Sequence, residues 1–387
     1  MRGHIEQRHK STYTIVIEAG RDPETGKRRR IVRSFAGTKR EAEKEMIRII
    51  NELEKGSYVE PSNMTLAEWL REWLAKRKQS LSPKTLRRYN DCVKRIIQKL
   101  GQVPIDRLRP YQIQQFYTEL SNPPDGGKPL APASVHYHHA ALHGALKDAV
   151  KLQLIQSNPA SGLELPRLPK TKVEPLAQKE INALIEDAKK TQYYIPVLLA
   201  VTCGLRRGEI FGLRWQDVDL ERGTLTINQV LGYTSTEGLY FKEPKTEESR
   251  GTLTMPKITV EALKQYRIEQ ARRRLKVGAQ WVDLGLVCDR GDGRPRHPDS
   301  ITHWFPRWMK SRGITDETFH DLRHAHASWL INLDENPKVI QERMRHKDIS
   351  TTMMVYGHLM PGRDQQAAEK IQEAIEGKKP RKKNVKK

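Results

Sequence analysis

Cysteine is scarce in this chain: three in 387 residues, Cys92, Cys203 and Cys288, far apart and with no Cys-x-x-Cys spacing. That pattern excludes a disulfide framework and a thiolate zinc module, and it fits a reducing cytoplasm. Long apolar runs are missing as well. No stretch approaches the ~18 apolar residues that a membrane span requires, and the opening MRGHIEQRHK has no signal-peptide core. The expectation is a soluble intracellular protein. Acidic residues are also short, with 47 Asp and Glu against 69 Lys and Arg, which leaves a formal net charge of +22.

Such an excess of positive charge points to a polyanionic partner. It is not a tail effect. Gly377 to Lys387 carry seven basic residues and no acid, so about fifteen positive charges remain elsewhere. A nucleic-acid surface spread over several domains is the natural reading, against a basic ribosomal or structural protein.

The pattern along the chain divides into segments. Tyr13-Thr14-Ile15-Val16-Ile17 and Arg28 to Phe35 read as strands around a turn at Asp22 to Gly26. Thr38 is an N-cap for a helix from Lys39 to about Lys55, so residues 1–60 form a small α+β domain, a three-stranded sheet plus one helix. Residues 61–164 read as all-α. Helices start at Thr65, Ser82-Pro83, Arg109-Pro110 and Ala131-Pro132, and Asn158-Pro159 ends the set. Residues 165–175 read as an exposed proline-rich linker. Residues 176–376 are expected to be mainly α with a small β-sheet, including strands near Thr224–Val230 and Arg250–Met255, followed by a basic tail at 377–387.

Four stretches of the 176–376 segment carry candidate chemistry. In Cys203-Gly204-Leu205-Arg206-Arg207-Gly208-Glu209-Ile210 an always-charged guanidinium can grip two phosphate oxygens, and Glu209, three residues after Arg206, can orient it. In Phe319-His320-Asp321-Leu322-Arg323-His324, His320 and Arg323 share a helical face. Lys245 lies in a polar turn, Glu243 to Arg250, with Lys242 as the other candidate lysine. In the last stretch, Met344 to His358, Ser350 is read as the N-cap of a short helix carrying Tyr356. Each of these taken alone has an ordinary alternative, such as a solvated Arg pair, a surface helix or a packed tyrosine. His136, His138, His139 and His143 fall on the fourth helix of the 61–164 segment. The last two have the i, i+4 spacing of a metal pair, but packed or DNA-facing histidines are the simpler reading.

In order, Arg206, Lys245, His320, Arg323, His346 and Tyr356, within CGLRRGEI, PKTEESR, HDLRH and MRHKDISTTMMVYGH, resemble the tyrosine recombinase (phage integrase) family. The resemblance spans the whole of 176–376. It extends less specifically to 61–164 as a core-binding domain and to 1–60 as an arm-type DNA-binding domain. It implies a site-specific DNA recombinase. Tyr356 would attack a phosphodiester to leave a 3′-phosphotyrosine, Arg206 and Arg323 would clamp the phosphate, and His346 would donate to it. Lys245 would protonate the 5′-oxygen, and His320 would assist the tyrosine's proton transfer. No ATP, cofactor or metal is implied. The implied partners are double-stranded DNA at attachment sites, three further copies of the chain in a tetramer, and an excision or host accessory protein. A type IB topoisomerase and a non-catalytic DNA-binding regulator are the competing readings. One departure stands out: Met344-Arg345-His346 occupies a place where the family commonly has Leu-Gly-His, so Arg345 replaces a helix-ending glycine. It is expected to cost local stability or to add a phosphate contact.

Overall fold

The computed structural model describes residues 2–21, 26–55, 58–60, 63–169, 176–244, 250–314, 317–346 and 348–350, and positions 368, 371, 372, 375 and 376. The chain divides into two compact units, Met1–Pro169 and Lys170–Lys387. The division falls inside the stretch read as a linker.

The first unit contains two cores. Near the N-terminus, β1 (Arg2–His9), β2 (Thr12–Arg21) and β3 (Arg28–Ala36) form an antiparallel sheet in that order, with Ile5 opposite Ile15 and Ile17 opposite Ile31. Helix α1 (Lys39–Glu54) packs on β1 and β2, and Ile15, Ile17, Ile31 and Ile49 form a small core. Its start is a capping box: the Glu41 carboxylate accepts from the Thr38 N–H at 2.8 Å, and the Thr38 hydroxyl accepts from the Glu41 N–H.

The second core is helical, built from α2 (Leu66–Arg77), α3 (Pro83–Leu100), α4 (Pro110–Ser121) and α5 (Pro132–Lys151). Proline stands at the first turn of α3, α4 and α5, where its missing N–H removes no helical bond. Two buried tryptophans of α2 tie it to α5. Trp69 Nε1 donates to the Ala145 carbonyl at 3.0 Å and Trp73 Nε1 to Asp148 at 2.9 Å. The α5 histidines serve this packing. His138 Nδ1 lies 2.8 Å from the Ser134 carbonyl, His139 Nδ1 3.1 Å from the Tyr117 hydroxyl, and His136 Nε2 3.0 Å from the Pro166 carbonyl. His143 Nε2 lies 3.4 Å from the Ser161 hydroxyl.

The second unit is organised around α7 (Tyr194–Cys203), in which every residue from Ile195 to Cys203 is buried. A helix apolar on all sides belongs at the centre of a core. Helices α6 (Gln178–Ala188), α8 (Arg207–Gly212), α9 (Lys257–Val277) and α11 (Asp321–Asn332) pack on it. Strands β4 (Val218–Asp219), β5 (Thr224–Thr226) and β8 (Thr252–Thr254) form one antiparallel sheet in that order, and β6 (Val230–Thr234) pairs with β7 (Gly238–Lys242) as a separate hairpin. β6 lies directly on α8. A Cβ at Gly212 would stand 2.8 Å from the Leu231 nitrogen, so only glycine allows this approach. α10 (Pro298–Lys310) and α12 (Pro337–Met344) complete the unit. Among the described residues no helix is long and apolar enough to cross a membrane.

Candidate active site

The site is assembled where three chain turns meet: the α7–α8 corner, the start of α11 and the end of α12. At the corner, Gly204 is left-handed (φ 61°, ψ 29°) and ends α7. A Cβ there would meet the His326 ring at 2.7 Å. We therefore expect Gly204→Ala to cost about 2–4 kcal/mol, combining the left-handed penalty with overpacking. Urea unfolding of the two proteins checks it, and an unchanged midpoint would refute it.

Arg206 follows at the N-cap of α8 with extended backbone. One carboxylate holds it twice. Glu209 Oε2 accepts from the Arg206 N–H at 2.9 Å, and Oε1 accepts from Arg206 Nη1 at 2.8 Å. The same group thus caps the helix and fixes the guanidinium. The adjacent arginine turns away, since Arg207 Nη1 donates to Asp299 at 2.8 Å.

Arg323, on the first turn of α11, is 2% exposed. Its Nη1 donates to the Gly204 carbonyl and its Nη2 to the Met344 carbonyl. One guanidinium therefore bridges the α7–α8 corner and the end of α12. His320 sits at the α11 N-cap position with its ring edge-on to His324, 4.8 Å between centroids. Asp321 accepts from the Thr318 N–H at 2.6 Å and steadies this entry.

His346 follows the end of α12. Its N–H donates to the Gln341 carbonyl at 3.1 Å, and Gln341 Nε2 donates to the His346 carbonyl at 3.1 Å. Arg206 Nη2 reaches the preceding carbonyl, that of Arg345, at 3.4 Å. Burial pushes the His346 imidazole down to about 4, helped by the charges of Arg323 and Arg206. His320 keeps an exposed edge at the start of α11, and the protein packed around the rest of its ring takes it down to about 4, with His324 and Arg323 adding to it. Both rings are therefore neutral at pH 7, each with one nitrogen able to donate and one able to accept.

His320 and His346 are thus each within electrostatic reach of Arg206 and Arg323. Lys242 ends β7 with its ammonium 5.8 Å from the Tyr240 ring centroid. Lys245 and Tyr356 lie outside the described residues. The cap expected at Ser350 is displaced. Ile349 and Ser350 are already helical, and Asp348 Oδ1 accepts from the Ser350 N–H at 2.8 Å. Aspartate caps a helix as well as serine does, so both residues fit the same local signal.

Sequence reasoning placed Glu209 beside Arg206 but missed its second partner. Arg345 is 3% exposed and left-handed (φ 51°, ψ 48°), and its Nη2 donates to Glu209 Oε2 at 2.5 Å. Of the two outcomes expected for Arg345, the left-handed backbone is the local cost, and the guanidinium turns into the protein onto Glu209. The only sequence signal was a charged residue in a position that favours glycine. His326 was also missed. It is 4% exposed, with Nδ1 2.7 Å from the Val201 carbonyl.

Residues 174–363 match the model of the phage integrase family, and residues 65–121 match that of the phage integrase N-terminal SAM-like domain; together they span more than half of the chain. The chain belongs to the tyrosine recombinase, or phage integrase, family. It is accordingly a DNA strand-cleaving and rejoining enzyme. The recombinase is 27% identical to the "Tyrosine recombinase XerC-like" protein of Caldanaerobacter subterraneus subsp. tengcongensis, with 94% of this chain and 96% of that protein aligned. It is 23% identical to the ICEBs1 integrase of Bacillus subtilis, over 96% of this chain and all of that protein. In fold it is similar to the Tn1549 transposon integrase in complex with transposon right-end DNA (TM-score 0.67, 20% identity, 80% of this chain and 100% of that one). A lambda integrase dimer bound to a core site also matches (TM-score 0.54, 19% identity, 99% of this chain and 97% of that one).

Proposed function

We propose that this recombinase integrates and excises a mobile element by way of a 3′-phosphotyrosine at Tyr356. The observation that carries the reading is the convergence of Arg206, Arg323, His320 and His346 from three separate turns, with two guanidiniums beside the buried Glu209 carboxylate. Such a cluster fits a phosphodiester whose negative charge grows as the nucleophile attacks. Arg206 and Arg323 hold the non-bridging oxygens. His346, neutral before DNA arrives, donates to the same phosphate. His320, also neutral, accepts the phenolic proton of Tyr356. Lys245 protonates the departing 5′-oxygen, with Lys242 as the alternative. The phosphotyrosine retains the energy of the broken phosphodiester, so attack by the 5′-hydroxyl rejoins the strand without ATP.

The wider partner is double-stranded DNA at attachment sites, engaged by a homotetramer in the cytoplasm, with an accessory protein setting direction. Two basic recesses support DNA contact beyond the site. Arg88, Lys94 and Arg95 of α3 face Tyr137 and His138 of α5, with Arg88 3.9 Å from the Tyr137 ring centroid. Arg2, Arg21, Arg28, Arg29 and Arg30 line the other, on the N-terminal sheet. Arm-type binding by that sheet and core-site binding by the helical segment belong to the same proposal. The lambda integrase tetramer bound to a Holliday junction (TM-score 0.54, 21% identity, covering 90% of this chain and 94% of that one) is the structural precedent for the assembly.

A nicked duplex spanning the element–chromosome junction tests the reading. Trapping the cleaved strand should leave a denaturation-resistant protein–DNA adduct. Two such sites in one reaction should give joined recombinant products. Plasmid relaxation without joined products would favour the topoisomerase reading, and DNA binding without an adduct the regulator.

A further inference from the structure

The recombinase reading uses Arg206, yet Arg206 is half neutralised by its own counter-ion. Glu209 is 3% exposed and grips Arg206 through both backbone and side chain. A phosphate approaching an isolated Arg206–Glu209 pair would meet a carboxylate almost as soon as a guanidinium. The buried Arg345 changes that balance. Its Nη2 shares Glu209 Oε2, and its own carbonyl accepts from Arg206 Nη2 at 3.4 Å. The three side chains then carry one net positive charge rather than none. We propose that Arg345 is a positioning residue, a third arginine that never touches DNA but occupies the far side of Glu209 and so leaves Arg206 both fixed and electropositive toward the scissile phosphate.

Three observations support this. First, Arg345 is held in the left-handed region, a strain of about 1 kcal/mol that glycine would avoid, so its side chain is what the position uses. Second, the side chain turns inward, and its Nη2 is committed to the buried Glu209 carboxylate. Third, the contact joins the end of α12, which delivers His346, to the α7–α8 corner, which delivers Arg206. Arg323 joins the same two turns through the Gly204 and Met344 carbonyls. Arg345 adds charge to a link that Arg323 makes with backbone, so two buried arginines brace the pair of phosphate-facing turns.

The inference rests on the assignment of Arg206 to the phosphate, and the experiment separates the two. Adduct formation on the nicked junction duplex is measured in single turnover for the wild type and for Arg345→Lys, Arg345→Met and Arg345→Gly, alongside thermal midpoints and DNA affinity over a range of salt. The electrostatic role predicts cleavage ten- to a hundredfold slower for Arg345→Met and Arg345→Gly, with much of the rate restored in Arg345→Lys. DNA affinity and its salt slope should stay within about twofold of wild type. A purely structural role ranks the variants otherwise. Glycine relieves the left-handed strain and should be tolerated best, and lysine should do no better than methionine. That ranking, or wild-type cleavage by Arg345→Met, overturns the proposal. So does a salt slope that drops by about one, which would mark Arg345 as a phosphate contact. Should Arg345→Gly fold poorly, the lysine–methionine comparison decides, since both keep an unbranched stem at the same backbone angle. No adduct from wild type would instead sink the Tyr356–Arg206 reading itself.

Discussion

Tyr356→Phe will bind junction DNA as wild type does and form no covalent adduct. The change removes one oxygen and keeps the ring. What disappears is the protein atom that bonds to phosphorus in the proposed reaction. Loss of a covalent nucleophile in other enzymes costs on the order of 10⁶-fold, so the residual rate should fall below detection. An unactivated phenol has a pKa near 10 and is weakly nucleophilic at pH 7, so the hydroxyl needs a base. His320, taken down to about 4 chiefly by desolvation, is uncharged at pH 7 and so offers an acceptor nitrogen. The measurement is a denaturing gel of protein incubated with the nicked duplex, read beside a mobility shift of the same sample. An adduct from Tyr356→Phe would mean that another hydroxyl attacks. Loss of the mobility shift would mean that the hydroxyl helps to hold DNA.

Much of this fold was legible because local signals were strong. Thr38 and Thr65, each followed three residues later by glutamate, marked helix starts that the structure places one residue further on. Prolines at 83, 110 and 132 marked three more. β1 was poorly marked because only Gly3 and Ile5 of its first residues turn toward α1, and the rest of the strand is polar and exposed. The β6–β7 hairpin went unread for a different reason. Leu231 is buried but Tyr233, Leu239 and Phe241 on the same face stay more than a third exposed, so the strand lacks a clean inside and outside. At the site, what singled out Arg206, His320, Arg323 and His346 was their order along the chain and its likeness to the phage integrase family, since each stretch alone has an ordinary alternative. The Arg345–Glu209 contact was not readable. Its partners are 136 residues apart, and nothing in either neighbourhood encodes that the end of α12 returns to the α7–α8 corner. The bridge through Arg323 was hidden likewise, since its acceptors are backbone carbonyls that carry no sequence signature.

That bridge governs the second large effect. Arg323→Lys should cut the cleavage rate by roughly a hundred- to a thousandfold, the scale of losing one preorganised donor to a developing oxyanion. It should also lower stability, which Tyr356→Phe is not expected to do. The planar fork of arginine reaches the Gly204 and Met344 carbonyls together. A lysine ammonium is a single point of contact at the end of a flexible stem. Its three donors radiate from one nitrogen and do not reproduce the fork's spacing to both carbonyls, so the weakened pairing costs about 1–3 kcal/mol. Arg323→Ala would go further, emptying a site that is 2% exposed and unpairing both carbonyls, with an expected loss of about 3–5 kcal/mol. Alanine is therefore the wrong probe of catalysis here, because a missing adduct would report unfolding as readily as lost chemistry. With lysine, urea unfolding and single-turnover cleavage can be read on the same folded protein. A large rate loss with a modest shift in the unfolding midpoint assigns Arg323 to the phosphate. A rate loss no larger than the stability loss explains would leave it a brace between two turns.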